Sequence, residues 1–335
     1  MKIVIATGIY PPEIGGPAQY SKHLKEIWTR QGHEVSIEVF SRFNYLPAGI
    51  RHFFYFLSIL PKVARSDYVI ALDTFSCALP AVLASKVFSK KVVLRSGGDF
   101  LWEKYVERTG DLVTLSDFYN TRIEKLSLKE KIIFSLIRFV LSRVDSIVWS
   151  TEWQKNISIN PYILSKQNHF VIENYYGPKE SDVSETSKVF VASTRNLKLK
   201  NLLLLEKIFN RIKSDDCEVE LFKDNLPFAD FMNKIKTCYA IVQISLGDIS
   251  PNMILDAIRY NRPFICTREV GIFDRIKDVG IFVDPLNEEE IQKAVLSLLN
   301  KEEYEKSKEK IRQFYFVHTW EDIAKEFLGV YESIK

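Results

Sequence analysis

Short apolar runs rich in Val, Ile and aromatic residues alternate along the chain with longer stretches whose apolar positions recur at helical spacing. The pattern predicts strands at residues 2–7, 34–40, 68–72, 91–95, 146–150 and 169–173. A second series follows at 188–193, 218–222, 240–245, 263–267 and 280–284. Helices are expected at 18–31, along a long stretch near 117–143, and at 287–299, 302–314 and 319–333. Such alternation is the signature of parallel sheets wound with helices, here in two successive sets. Between the sets, NYYGPKESDVSETS (174–187) is polar, contains Gly177 and Pro178 and has no apolar period, which marks a linker. The expected organisation is therefore a first β/α domain at 1–173, the linker at 174–187 and a second β/α domain at 188–318. A closing amphipathic helix at 319–335, capped by Thr319, is expected to cross back to the first domain.

A length of 335 residues suits two cores rather than one. With 46% hydrophobic and 27% charged residues the composition is that of a soluble globular protein. Cys77, Cys217, Cys238 and Cys266 are scattered, with no CxxC pair and no histidine at ligand spacing, and are expected to be reduced core residues of a cytosolic protein. No basic region, apolar run and cleavage site precede the strand that begins at Lys2. The longest apolar runs, from Phe53 and from Val69 to Phe88 with Asp73 inside it, fall short of the ~20 residues of a spanning helix. Charge is uneven: residues 1–170 carry 22 Lys and Arg against 15 Asp and Glu, in a chain whose net charge is +3.

The most informative chemistry lies in GDISPNMILDAIRYNRPFI, where Asp248 and Asp256 flank a helix start. Ser250, Pro251 and Asn252 form that start, with Pro251 at the first helical position, where a missing N–H costs nothing. Both carboxylates and several free amides are thereby offered to one ligand carrying hydroxyls and an anion, as a sugar nucleotide does. Arg195 and Lys200, five residues apart, follow the first strand of the second set, at the sheet edge where ligands of open α/β folds bind. Two cations there suit the phosphates of a nucleotide and the charge of a leaving diphosphate. In the first set the loop TGIYPPEIGGPAQYSKHL places Gly15 and Gly16 just before a helix, allowing close backbone approach to a phosphate or sugar. Its glycines do not fit GxGxxG, so a nicotinamide-dependent oxidoreductase is disfavoured and Glu38 reads as an exposed strand residue rather than a ribose clamp. His33 in GHEV reads as a strand-entry residue, His23, His52, His169 and His318 show no partner in the sequence, and Trp320 reads as an anchor for the last helix.

Taken in order, these segments resemble the retaining GT-B glycosyltransferases, in particular the large nucleotide-sugar-dependent family 4. The likeness rests on YPPEIGGPAQY and GHEV (10–35), Asn174, the Arg195/Lys200 pair, the acids Asp248 and Asp256 separated by seven residues, and TREVGIFDRIKDVGIFVDP, and covers nearly the whole chain. It implies two Rossmann-like domains facing each other across a cleft, the acceptor in the first and a nucleoside diphosphate sugar in the second. Arg195 and Lys200 would then bind the diphosphate, Asp256 the ribose and Asp248 the transferred sugar, with the amides near Ser250, Pro251 and Asn252 completing the cradle. Gly15 and Gly16 would lie near the diphosphate and acceptor. Asp99, in RSGGDFLWE, stands where the family often carries a histidine; both motif acids are aspartate where the family usually has glutamate.

The resulting expectation is a metal-independent hexosyltransferase needing no cofactor besides its donor substrate and acting on a glycan, lipid-linked or small-molecule acceptor. No nucleic-acid partner is expected. A weak or inactive nucleotide-sugar-binding scaffold of the same fold is the alternative. Two segments, 50–62 and the basic 122–143, have broad apolar faces that read first as packing on the sheet and second as contact with an anionic membrane. The expected location is cytoplasmic, with the inner membrane face as the second reading.

Overall fold

The computed structural model describes residues 1–13, 15–183, 187–193, 196–214, 218–224 and 226–335. Arg195, Cys217 and residues 184–186 of the predicted linker lie outside the described residues. All eleven predicted strands form, in two wholly parallel sheets. The chain makes two compact units: Met1–Leu101, Glu124–Tyr175 and His318–Lys335 form the first, and Trp102–Ile123 and Tyr176–Val317 the second.

In the first unit the strands are β1 (Lys2–Thr7), β2 (Glu34–Val39), β3 (Tyr68–Ala71), β4 (Lys91–Ser96), β5 (Ser146–Trp149) and β6 (His169–Val171), in sheet order β2-β1-β3-β4-β5-β6. Its helices are α1 (Gly16–Arg30), α2 (Ile50–Ala64), α3 (Ala78–Val87), the start of α4 (Phe100–Thr109), α6 (Leu128–Arg143), α7 (Glu152–Tyr162) and α14 (Trp320–Ile334); α5 (Leu115–Thr121) belongs to the second unit. β3 and β5 are buried along their whole length, as central parallel strands covered on both faces must be. Ile5, Ile70, Val93 and Val148 pack with Trp28 of α1 and with Ile323 and Phe327 of α14. α14 is fixed by a Thr319/Asp322 capping box, and its backbone accepts hydrogen bonds from Trp28 Nε1 at Ala324 (3.2 Å) and from Tyr68 OH at Phe327 (3.2 Å). Trp320 stacks between Tyr175 and His23.

The second sheet runs β11-β10-β9-β7-β8, from β7 (Val189–Val191), β8 (Glu220–Phe222), β9 (Ala240–Gln243), β10 (Phe264–Thr267) and β11 (Ile281–Val283). One face is covered by α8 (Leu202–Ser214) and α12 (Glu288–Leu299), whose Leu205, Ile208, Val295 and Leu298 meet Phe190, Ala240 and Val242. The other carries α9 (Phe228–Thr237), α10 (Asn252–Arg259) and α11 (Phe273–Ile276), with Ile235, Ile254 and Ile258 against Val191, Ile241 and Cys266. Ile311 of α13 (Lys301–Gln313) joins this second cluster. In the polar stretch after Tyr176, Glu180 accepts hydrogen bonds from Arg259 (2.6 Å) and Lys236 (3.1 Å), and Asp182 pairs with Arg312.

Three expectations are corrected. The long helix near 117–143 is broken: α5 ends at Thr121, and α6 starts afresh behind Ser127, whose hydroxyl accepts from the Glu130 amide while Glu130 answers to the Ser127 amide. Glu38 is not exposed: at 2% it is buried, takes a hydrogen bond from Ser58 Oγ at 2.7 Å, and pairs with Lys62. The histidines do have partners. His169 meets Trp149 Nε1 and the Leu164 carbonyl, His318 meets the Asn174 carbonyl, His33 the N-terminal amine, and His52 packs on Phe40 and Phe75.

Candidate functional site

The C-terminal edge of the second sheet gathers the loops that follow β7, β9 and β10. After β7 a short turn at Lys198–Lys200 ends in Asn201, which takes the left-handed conformation (φ 54°) and is held by its side-chain amide on the Pro285 carbonyl (2.6 Å). That anchor directs Lys200 inward. Its ammonium lies 3.0 Å from Asp248 Oδ2, and the same oxygen receives Gln243 Nε2 at 2.8 Å. Gln243 is the last residue of β9 and is buried, so its amide is aimed by the strand. The Asp248 backbone continues the edge: its N–H bonds the Glu269 carbonyl (2.9 Å), its carbonyl accepts from Gly271 (3.0 Å), and the two segments form a parallel bridge at Val270. One carboxylate is thus fixed by two donors and a pinned backbone.

α10 begins directly behind it. Pro251 is the N-cap rather than the first helical residue, and Asn252 opens the helix. No side chain caps this end and its first turn holds no acid; the Ile254 amide bonds the Pro251 carbonyl (3.0 Å), which leaves those of Asn252 and Met253 without a bonded acceptor among the described residues. Ser250 Oγ, and Ser245 Oγ on the approach to it, are buried and take no hydrogen bond among the described residues. One turn further on, Asp256 is half-buried, and its carboxylate has no hydrogen bond or ion pair among the described residues. Burial pushes its carboxyl up from 3.8 to about 6, against a smaller opposing pull from Arg259. Burial likewise raises Glu269, which receives the Ser116 amide at 3.4 Å.

Residues 102–123 precede the predicted linker in sequence yet pack here. Leu115 N–H bonds the Leu246 carbonyl (3.1 Å), Lys198 Nζ bonds the Glu107 carbonyl (2.9 Å), and Trp102 lies against Gly247. A Cβ on Gly247 would stand 2.7 Å from Leu115 Cβ and 3.2 Å from Trp102. Both neighbours are buried, so Gly247→Ala is expected to cost about 1–3 kcal/mol. Thermal unfolding checks this against Gly16→Ala, where nothing lies within 4 Å of the added carbon and the midpoint should barely move.

Of the residues expected from sequence, the structure brings together Lys200, Asp248, Ser250, Pro251, Asn252 and Asp256 in the second unit, while Gly15, Gly16 and Asp99 belong to the first. Gly15 is the uncapped N-cap of α1, and a Cβ there would meet Ile9 Cδ1 at 2.6 Å; Gly16 faces open space. Asp99 is half-buried beside Ser96, Gln154 and Trp149 at the end of β4. Sequence reading missed Gln243, Glu269 and Arg95. The last is 4% exposed, donates to Ser150 Oγ (3.1 Å) and Asn174 Oδ1 (2.5 Å), and lies 3.7 Å over the Tyr20 ring. Their shared signal is position: each lies within two residues of the C-terminal end of a parallel strand.

Two Rossmann-like units of six and five parallel strands make this a GT-B fold. The chain is similar to sucrose-phosphate synthase from Thermosynechococcus elongatus, with a TM-score of 0.68 at 10% identity over 99% of this chain and 98% of that one. It is also similar to Anabaena HepE, solved with UDP and glucose, with a TM-score of 0.63 at 11% identity over 99% of this chain and 100% of the other. TarM from S. aureus, solved with UDP, fondaparinux and alpha-GlcNAc-glycerol, aligns over 81% of this chain and 58% of its own, with a TM-score of 0.55 at 15% identity. No family model matches the sequence, and no curated protein matches it.

Proposed function

We propose that the protein is a retaining glycosyltransferase that moves a hexose from a nucleoside diphosphate sugar to a glycan, lipid-linked or small-molecule acceptor. The observation that carries this reading is the Lys200–Asp248–Gln243 cluster beside the uncapped start of α10. A cation, a carboxylate and free amides at the C-terminal edge of a parallel sheet match the diphosphate, hydroxyls and leaving-group charge of such a donor. The likeness in fold to proteins solved with UDP supports the same choice.

In this mechanism the donor diphosphate lies on the α10 amides and takes over the Lys200 ammonium. That exchange releases the Asp248 carboxylate to accept hydrogen bonds from the sugar, while Gln243 keeps it in place. Asp256, one turn along the helix, accepts from the ribose. As the diphosphate leaves, Lys200 and the helix start carry its growing charge without a metal ion. Arg195 would add a second cation, Gly15 and Gly16 would serve the diphosphate and the acceptor, and Asp99 would take the place of the family's histidine toward the reacting sugar.

Thermal-shift screening against UDP, GDP, ADP and their sugars tests donor binding, since a ligand at a hundred times its Kd stabilises by about 2.7 kcal/mol. Turnover of the stabilising donor with chelator present, and the anomeric configuration of the product by NMR, test the rest. No shift with any nucleotide would remove the donor site; turnover restored only by a divalent metal would overturn the metal-free step.

A further inference from the structure

Nine of the twenty exposed large apolar side chains among the described residues sit on three neighbouring helices of the first unit. α2 packs on α3, and α3 on α6. α2 exposes Phe53 (58%), Phe54 and Leu57, and α3 exposes Leu83 and Val87 (63%). α6, which packs on α3 and α7, buries Ile137, Val140 and Leu141 yet leaves Leu128 (78%), Ile132 (53%) and Phe139 outside. Packing within the unit therefore does not absorb the whole apolar face of either segment that the sequence singled out. Single exposed apolar residues are ordinary in folded proteins, but a cluster of this kind marks a contact surface.

Charge identifies the contact. Lys129, Lys131, Arg138 and Arg143 all lie exposed on α6, Lys86 lies exposed on α3, and α2 contributes Arg51. The three helices hold one acid, Glu130, which is buried and spent on the Ser127 capping box. In a chain with 46 basic and 43 acidic residues such an acid-free face is a strong local departure. A symmetric dimer through it would set cations against cations. Nucleic acid would satisfy the cations but leave the phenylalanines and leucines in water. An anionic bilayer satisfies both, with aromatic and aliphatic side chains entering the headgroup boundary and Lys and Arg meeting lipid phosphates. We infer that the α2–α3–α6 face docks the protein on an anionic membrane surface.

The inference stands apart from glycosyl transfer, because binding is read without donor or acceptor. The purified full chain is co-sedimented with vesicles of phosphatidylcholine alone and with a three-to-one mixture of phosphatidylcholine and phosphatidylglycerol. Binding to the mixed vesicles only, weakened by high salt, is expected. Lys129→Gln combined with Arg138→Gln should weaken partitioning roughly twenty-five-fold, about five-fold per cation. Phe53→Ser combined with Leu57→Ser should weaken it at low and high salt alike. All four side chains, two apolar and two cationic, are exposed, so circular dichroism and the thermal midpoint should stay as in the wild type. Wild type that stays in the supernatant with anionic vesicles, or folded variants that bind as well as wild type, overturns the inference. So does a wild-type dimer that the Phe53/Leu57 variant dissolves without any vesicle binding.

Discussion

Asp248→Asn is expected to lower sugar transfer, as kcat/KM, by roughly a hundred- to a thousand-fold in a protein that remains folded. The carboxylate receives Lys200 Nζ at 3.0 Å and Gln243 Nε2 at 2.8 Å, so it carries the charge that balances the lysine and the lone pairs that a donor sugar would use. An asparagine keeps the shape and loses the charge. Lys200 is then left without its counter-ion, and affinity for a nucleoside diphosphate should hold or rise while transfer collapses. Lys200→Met predicts the opposite division, with diphosphate affinity falling first. The pairing of Asp248 N–H with Glu269 and of its carbonyl with Gly271 also explains why Asp248→Glu is no simple repair. The backbone is held by its neighbour, so an added methylene drives the carboxylate about 1.5 Å further into Lys200 and Gln243. Transfer by Asp248→Asn within two-fold of wild type would rule out this role for the carboxylate.

The strands were legible because each is an apolar run bounded by polar turns, and a parallel strand covered on both faces has no other pattern to show. The acids and Lys200 were legible for a related reason: each lies in the loop or helix start that follows a strand, where open α/β folds place ligand contacts. What stayed hidden depends on contacts between distant loops. Gln243 interrupts an apolar run and reads as part of the strand, and only the return of the chain at Asp248 gives its amide a purpose. Glu38 has the same history, since its burial depends on Ser58 and Lys62 a helix away. Residues 102–123 are held beside Asp248 by a backbone bond from Leu115 and by the bare face of Gly247, neither of which leaves a mark in side-chain pattern. The break before α6 was readable in principle, as Ser127 and Glu130 stand at capping-box spacing. The apolar period of the flanking helices runs on through it and masks the stop.

Asp256→Asn is expected to make the protein more stable at neutral pH and a poorer binder of nucleotide. Burial raises the Asp256 carboxyl from 3.8 to about 6. The folded chain therefore holds this proton more tightly than the unfolded chain, and stability falls as pH rises through that interval, levelling off above it. At pH 7 the ionised, unpaired carboxylate costs roughly 2–3 kcal/mol, which asparagine does not incur. Its thermal midpoint should rise by roughly 5–10 °C at pH 7 and match wild type near pH 4. The nucleotide changes the balance. A ribose hydroxyl donating to the ionised form recovers the energy that burial withholds, so wild-type affinity for UDP, GDP or ADP, whichever binds, should climb with pH up to about 6 and then level off. A charge-assisted bond of about 1.5–3 kcal/mol makes the loss in Asp256→Asn roughly ten- to a hundred-fold, with little pH dependence left. Calorimetric titration across pH 4.5–7.5 beside thermal melts separates the two halves of this expectation. Unchanged melting would mean that the carboxyl is not held in a costly environment, and unchanged affinity that the ribose lies elsewhere. If removal of the carboxylate both stabilises the empty protein and weakens nucleotide binding, Asp256 is kept for what it binds rather than for stability, and these two measurements read that trade directly.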